Sequence, residues 1–359
     1  MRIRAKRTGT SAAQRVNPGL VIVAREARGM TQAELAAACE VSQGLMSRIE
    51  AGLSTFPEDR IPKLARVLGV LPDFFASDGR VGALGSTCLL FRRRQSLPVK
   101  KLRWIIAVVN MRRMQIERLL RSVEVQEQKF VSLDIDEYGP PERIAQLFRR
   151  VLNLPMGPVP NLIGTIESAG GIVVKTDFET EQFDAASQWF EDSQPIFFVN
   201  SRMPTDRMRL TLAHEIGHVL MHTVAPIDAE RQANEFAGEF LMPANEIRAD
   251  LEPVTVQHLA ELKMHWKVSM ASLLYRAREL EVITSGKFRS MMMLLGKLGY
   301  RRREPVALPA EEPALLREIV TFHRTEHGFS IEDLARLMQV PMNEIPPEFL
   351  PQGLRVISA

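Results

Sequence analysis

Two cysteines among 359 residues, Cys39 and Cys88, cannot build a disulfide framework and fit a reducing compartment. They are also too few for a thiolate metal centre, so any metal falls to histidine and carboxylate. No apolar run approaches the roughly 20 residues that a bilayer-spanning helix needs. The basic start, Met1 to Arg15, is not followed by a signal-peptide core, because the short apolar patch Leu20–Ala24 is closed by Arg25. The expectation is a cytoplasmic chain with no membrane partner. Internal repeats and low-complexity tracts are absent. A net charge of +3 excludes no class of partner, but its distribution is uneven. Between Met1 and Arg28 seven Lys or Arg face one acid, and between Arg80 and Glu124 eleven face two. Both stretches suit phosphates, and equally a solvated face.

What is present divides the chain. Short helical patterns separated by tight turns run from Pro18 to Ala76, with Gly29, Gly52 and Gly69 where helices should stop. A basic connector leads to a long helix expected over 98–130, with Leu102, Ile105, Ile106, Val109 and Ile116 on one stripe. Helices are expected at 141–153 and 161–169, β-runs at Ile172–Val174 and Ile196–Val199, and mainly helix from Asp206 to Ile283. These signals give a disordered basic tail at 1–17, a helical domain at 18–77, and a connector with the long helix at 78–140. A second domain follows at 141–304, then a linker and C-terminal helical segment at 305–359. The fold class is mainly α with a small β-sheet (α+β).

Within the first domain, Thr31 is placed to cap a helix opening Gln32-Ala33-Glu34, and Ser42 to cap the next. Leu35, Ala36, Met46, Ile49, Ile61, Leu64, Ala65 and Leu68 supply inward faces at helical spacing. The Thr31-Gln32…Leu35-Ala36 pattern, the Val41-Ser42-Gln43 turn and the Ser47-Arg48-Ile49-Glu50-Ala51-Gly52 ending resemble the Cro/cI-type (XRE) helix-turn-helix, an all-helical lambda-repressor-like fold. That resemblance makes 42–50 the helix that enters the major groove of double-stranded DNA. It sets Ser42, Gln43, Ser47 and Arg48 near base edges or phosphates, and Gln32 on phosphate. It also implies binding as a homodimer. Gly44 departs from the longer polar residue often found there and leaves the operator unread. A helical bundle that binds only protein is the competing reading.

The second domain carries His214-Glu215-Ile-Gly-His218. Positions i and i+4 share a helix face, so both imidazoles can reach one Zn²⁺, with Glu215 beside it as a proton acceptor. The apolar flanks Leu212, Ala213, Ile216, Val219 and Leu220 suit a buried helix. A third ligand should come from the following helix, where Glu230, Glu235 and Glu239 are the options. Glu230 and Asn234 share a face, so with Glu230 on the metal Asn234 can hold a ligand histidine in one tautomer. Glu235 and Glu239 fall on other faces, where solvation or a helix salt bridge is expected. His222, about 12 Å along the axis from His214, is too far to ligate the same ion and is read as a support or cleft residue.

The stretch from about 141 to 304 resembles the ImmA/IrrE metallo-endopeptidases. The resemblance rests on Gly157-Pro158…Asn161-Leu162, Phe183-Asp184-Ala185…Ser187, Asp206-Arg207…His218, Ala233-Asn234-Glu235-Phe236-Ala237…Leu241-Met242-Pro243 and Trp266-Lys267-Val268-Ser269. It implies a zincin-like fold, zinc on His214, His218 and Glu230, and Glu215 as catalytic base. It also implies a protein substrate, in known members a Cro/cI-type repressor. The fusion of both parts in one chain leaves that substrate open. A transcription factor or a toxin–antitoxin or phage-immunity regulator, whose zinc domain senses or binds a partner without turnover, is the alternative.

Overall fold

The computed structural model describes residues 16–77, 97–123, 128–189, 193–222 and 226–350. Residues 1–15 of the expected tail at 1–17 and most of the basic connector lie outside these residues; of the tail, Val16 is buried and Asn17 caps the first helix. The chain forms two compact units.

The first unit is helical: α1 (Pro18–Ala27), α2 (Gln32–Ala38), α3 (Gln43–Glu50), α4 (Ile61–Leu68) and α5 (Val99–Leu120). Local chemistry sets its helix ends. Thr31 Oγ1 accepts from Glu34 N while Glu34 reaches back to Thr31 N, a reciprocal cap on α2. Ser42 Oγ accepts from Leu45 N at the start of α3. Gly69 ends α4 with φ +63°, a conformation that costs a residue without Cβ little. Leu20, Leu35, Met46, Ile49, Leu64 and Phe74 fill the core, and Ala107, Met111 and Met114 of α5 close it.

In the second unit α6 (Pro141–Val151) and α7 (Leu162–Ser168) precede a three-stranded sheet of β1 (Ile172–Thr176), β2 (Ala185–Gln188) and β3 (Ile196–Asn200), ordered β1-β3-β2. β1 runs parallel to β3, and β2 antiparallel to it, with Ser187 opposite Phe197. Next come α8 (Thr205–Met221), α9 (Ala229–Leu241), α10 (Val256–Trp266), α11 (Met270–Glu279) and α12 (Ser285–Lys297). Phe148, Phe197, Leu212, Phe236, Phe240 and Trp266 are buried in its core. The described residues include no helix long and apolar enough to cross a membrane.

Three features differ from the sequence reading. The long helix stops at Leu120, and residues 128–134 form no helix, with Lys129 N bonded to Ala169 O and Leu133 N to Leu220 O. Phe130 and Leu133 lie in the core of the second unit. The stretch 305–315, composed like a linker, is clasped to the second unit. Glu311 accepts from Leu162 N and Ile163 N and pairs with the fully buried Arg209, and Glu167 accepts from Ala314 N and Leu315 N. Beyond α13 (Leu315–Thr325), α14 (Ile331–Met338) returns to the first unit, where it packs on α5. Arg118 Nη1 donates to Met338 O, Leu71 N to Gln339 O, and Arg112 pairs with Glu348 at 2.9 Å.

Candidate metal centre and nucleic-acid interface

α8 lies buried along almost its whole length, and α9 packs beside it. The two come close because Gly217 has no Cβ: one built there would stand 3.1 Å from the Phe236 ring and 3.3 Å from Ala233 Cα. A mid-helix glycine costs about 1 kcal/mol against alanine, and the close approach is what that cost secures. It brings Glu230, in the first turn of α9, over the histidine face of α8.

His214, His218 and Glu230 form the one His/Cys/Asp/Glu cluster with metal-ligand spacing among the described residues, each offering an atom within 4.8 Å of the others. His218 Nε2 stands 2.9 Å from His214 Nε2 and 3.0 Å from Glu230 Oε1, and His214 Nε2 is 3.5 Å from Glu230 Oε2. Ligands of a tetrahedral ion at about 2.0–2.1 Å stand about 3.3 Å apart, so the spacing fits.

The tautomers fit as well. His214 Nδ1 faces Asn234 Oδ1 at 3.0 Å, an acceptor, so Nδ1 carries the proton and Nε2 is a lone pair. His222 Nε2 faces Gln232 Oε1 at 2.9 Å, so its proton sits there and its Nδ1 accepts. His218 Nδ1, 2.9 Å from that atom, must then donate, which leaves His218 Nε2 as a second lone pair. Burial first, then the neighbouring imidazoles, push His222 down to about 4, so it remains neutral. Two lone pairs and a carboxylate converge, a donor set that suits Zn²⁺.

Glu215 is buried one residue after the first histidine. Ser187 Oγ donates to its Oε2 at 2.8 Å. Alternation along β2 turns Ser187 to the same sheet face as Phe197, toward α8. The sequence assigned no role to Ser187 or Gln232; the only signal was the Phe183…Ser187 stretch of the family resemblance. Glu235 is in a helix pair with Arg231 at 2.7 Å, and Glu239 is buried against Arg276 and Gln146, so neither joins the cluster.

Replacing Gln232 or His222 by alanine should weaken zinc about 10- to 100-fold, because either change frees His218 to protonate its ligand nitrogen. Competition with a chromophoric chelator measures this; unchanged affinity in both variants would refute the relay.

In the first unit α3 presents Ser42, Gln43 and Arg48 to solvent, with Ser47 half-buried. Glu50 ties three helices together: it accepts from Arg25 Nε at 2.6 Å, Arg25 Nη2 at 3.0 Å and Gln32 Nε2 at 2.8 Å. Gln43 Nε2 donates to Gln32 Oε1 at 3.3 Å, so the first residues of α2 and α3 are fixed against each other.

Residues 23–74 match the family of the helix-turn-helix domain, and residues 166–278 match the IrrE N-terminal-like domain, peptidase family M78. The first match covers the capped helix pair; the second runs from α7 into α11 and contains His214, Glu215, His218 and Glu230. No curated protein matches the chain.

Proposed function

From a chain that joins a DNA-binding helix-turn-helix domain to an IrrE/ImmA-like domain of the metallopeptidase type, we propose a transcriptional regulator that hydrolyses a protein with zinc. The observation that carries this reading is the convergence of two imidazole lone pairs and a carboxylate beside a buried Glu215. His214, His218 and Glu230 hold the metal. Bound zinc supplies Lewis acidity toward a peptide carbonyl and toward water. Glu215 accepts the proton of the attacking water and returns it to the leaving amine. Ser187 keeps the Glu215 carboxylate in one orientation, and Asn234 and the His222–Gln232 pair keep the ligand lone pairs inward. The proposed substrate is a helix-turn-helix repressor. The test incubates purified full-length protein with repressors co-expressed from its own source. Cleavage lost to a chelator and restored by zinc supports the reading, and intact repressors under all conditions count against it.

The proposed DNA contacts are Gln32, Ser42, Gln43, Ser47 and Arg48, on a two-fold dimer whose recognition helices reach half-sites about 34–36 Å apart. Arg48→Ala and Gln43→Ala should each weaken binding to the selected site by about 1–3 kcal/mol, and binding to random duplex by less. Equal losses on both would make these side chains backbone contacts only.

A further inference from the structure

A groove at the start of α5 is unused by the interface described so far. Lys100, Arg103 and Trp104 of α5, with Arg25, Thr31 and Gln32, line a cavity of about 620 Å³ within the first unit. Lys100 and Arg103, three apart, share one helix face and are exposed. Among the described residues neither forms an ion pair or a hydrogen bond through its side chain, whereas Arg25 is committed to Glu50. The one acid on the wall, Glu26, lies 3.8 Å from Arg25. Glu34, bonded to Thr31 at the rim, interacts electrostatically with Lys100, so the exposed cations the groove presents are Arg103 and a partly offset Lys100. Trp104 forms part of the wall, its ring covered by Lys101 Nζ at 3.7 Å. Gln32 belongs to both surfaces, because it lines the groove and is bonded to Gln43 and Glu50 of α3. The groove thus continues from the exposed start of the recognition helix.

We infer that the start of α5 is a second phosphate-binding arm of the DNA interface. It takes the sugar–phosphate backbone that continues past Gln32 from the major groove occupied by α3. Lys100 and Arg103 neutralise backbone phosphates there, and Trp104 packs on the sugar edge. Two exposed cations that form no ion pair in an open groove match a polyanion of regular charge spacing, and they carry affinity without base information. The inference rests on the proposed reading of DNA by α3.

The test uses the full-length chain as wild type, as the double variant Lys100→Ala/Arg103→Ala and as the charge-keeping double variant Lys100→Arg/Arg103→Lys. The probes are a duplex of the sequence selected by the wild type from a random pool and a duplex of unrelated sequence. Dissociation constants are taken across a salt series. The alanine variant should weaken both duplexes alike. Its slope of log K against log salt should be shallower by about 3.6 for the two-fold dimer, about 1.8 per protomer, because two phosphates per protomer are no longer neutralised. The charge-keeping variant should restore the slope. Trp104 emission should change on DNA addition, and Trp104→Phe should remove that change. Unchanged slope and affinity in the alanine variant, with wild type binding DNA, overturn the arm alone. A Trp104 response to an acidic peptide but not to duplex makes the groove a protein site and also overturns it. Absence of duplex binding by wild type at every salt overturns the reading of α3, and the arm with it.

Discussion

His214→Ala and His218→Ala protein is expected to purify without zinc, while the wild type carries one ion per chain. Each substitution removes one of only three protein donors, and two donors hold zinc poorly. The loss should exceed the roughly 100-fold upper range seen when a hydrogen-bonding partner of a ligand is removed. Glu230→Ala should follow the same direction, since Glu230 contributes the negative charge of the donor set. Glu235→Ala and Glu239→Ala should leave metal content unchanged, because their carboxylates are engaged by Arg231 and Arg276. Elemental analysis after dialysis, beside a circular-dichroism melt, reads the result. Stoichiometric zinc in folded protein of both histidine variants would remove the site. The melt also tests linkage: an ion bound only by the folded state raises its stability, so stripping zinc from wild type should lower Tm.

The parts legible in the sequence were those in which spacing and geometry are the same information. His214 and His218 sit one helical turn apart, and Glu230 and Asn234 repeat that spacing on the next helix, so their convergence needed only that α8 and α9 pack. The caps Thr31 and Ser42 were legible for the same local reason. What escaped depends on distant pairing. β2 reads Ala-Ala-Ser-Gln, with no β-branched or aromatic residue, and is a strand because β3 pairs with it. Ser187 could not be oriented toward Glu215 until that pairing was known. Gln232 looks like a solvated helix residue until the end of α8 passes over it. Prolines and acids at 305–312 read as a linker, yet Glu311 neutralises an arginine buried in α8. α14 buries Leu334, Ala335 and Met338, and its partner, α5, lies some 220 residues earlier in the chain, a pairing that local sequence does not carry.

Glu215→Gln protein is expected to fold and to bind zinc like wild type, yet to cleave nothing. The amide matches the carboxylate in shape and keeps an oxygen that can accept the Ser187 hydroxyl bond, so the buried surroundings of α8 are little disturbed. It lacks the basic oxygen that takes the proton of water, and it cannot hand a proton to the leaving amine. A positioned general base contributes about 10²–10⁴-fold, and the same group serves both transfers, so the loss should lie at the upper end or beyond detection. Ser187→Ala separates orientation from chemistry: it should lower turnover less than Glu215→Gln and leave zinc content alone. The two readings of the zinc unit part at this variant. A domain that only senses or binds a partner would give identical partner binding and gene regulation in Glu215→Gln and wild type cells. A peptidase that switches expression would leave the repressor intact and the target genes silent in the variant alone. The decisive measurement is repressor length and target transcript in the same cultures, with DNA binding by the variant as the control that the first unit is untouched.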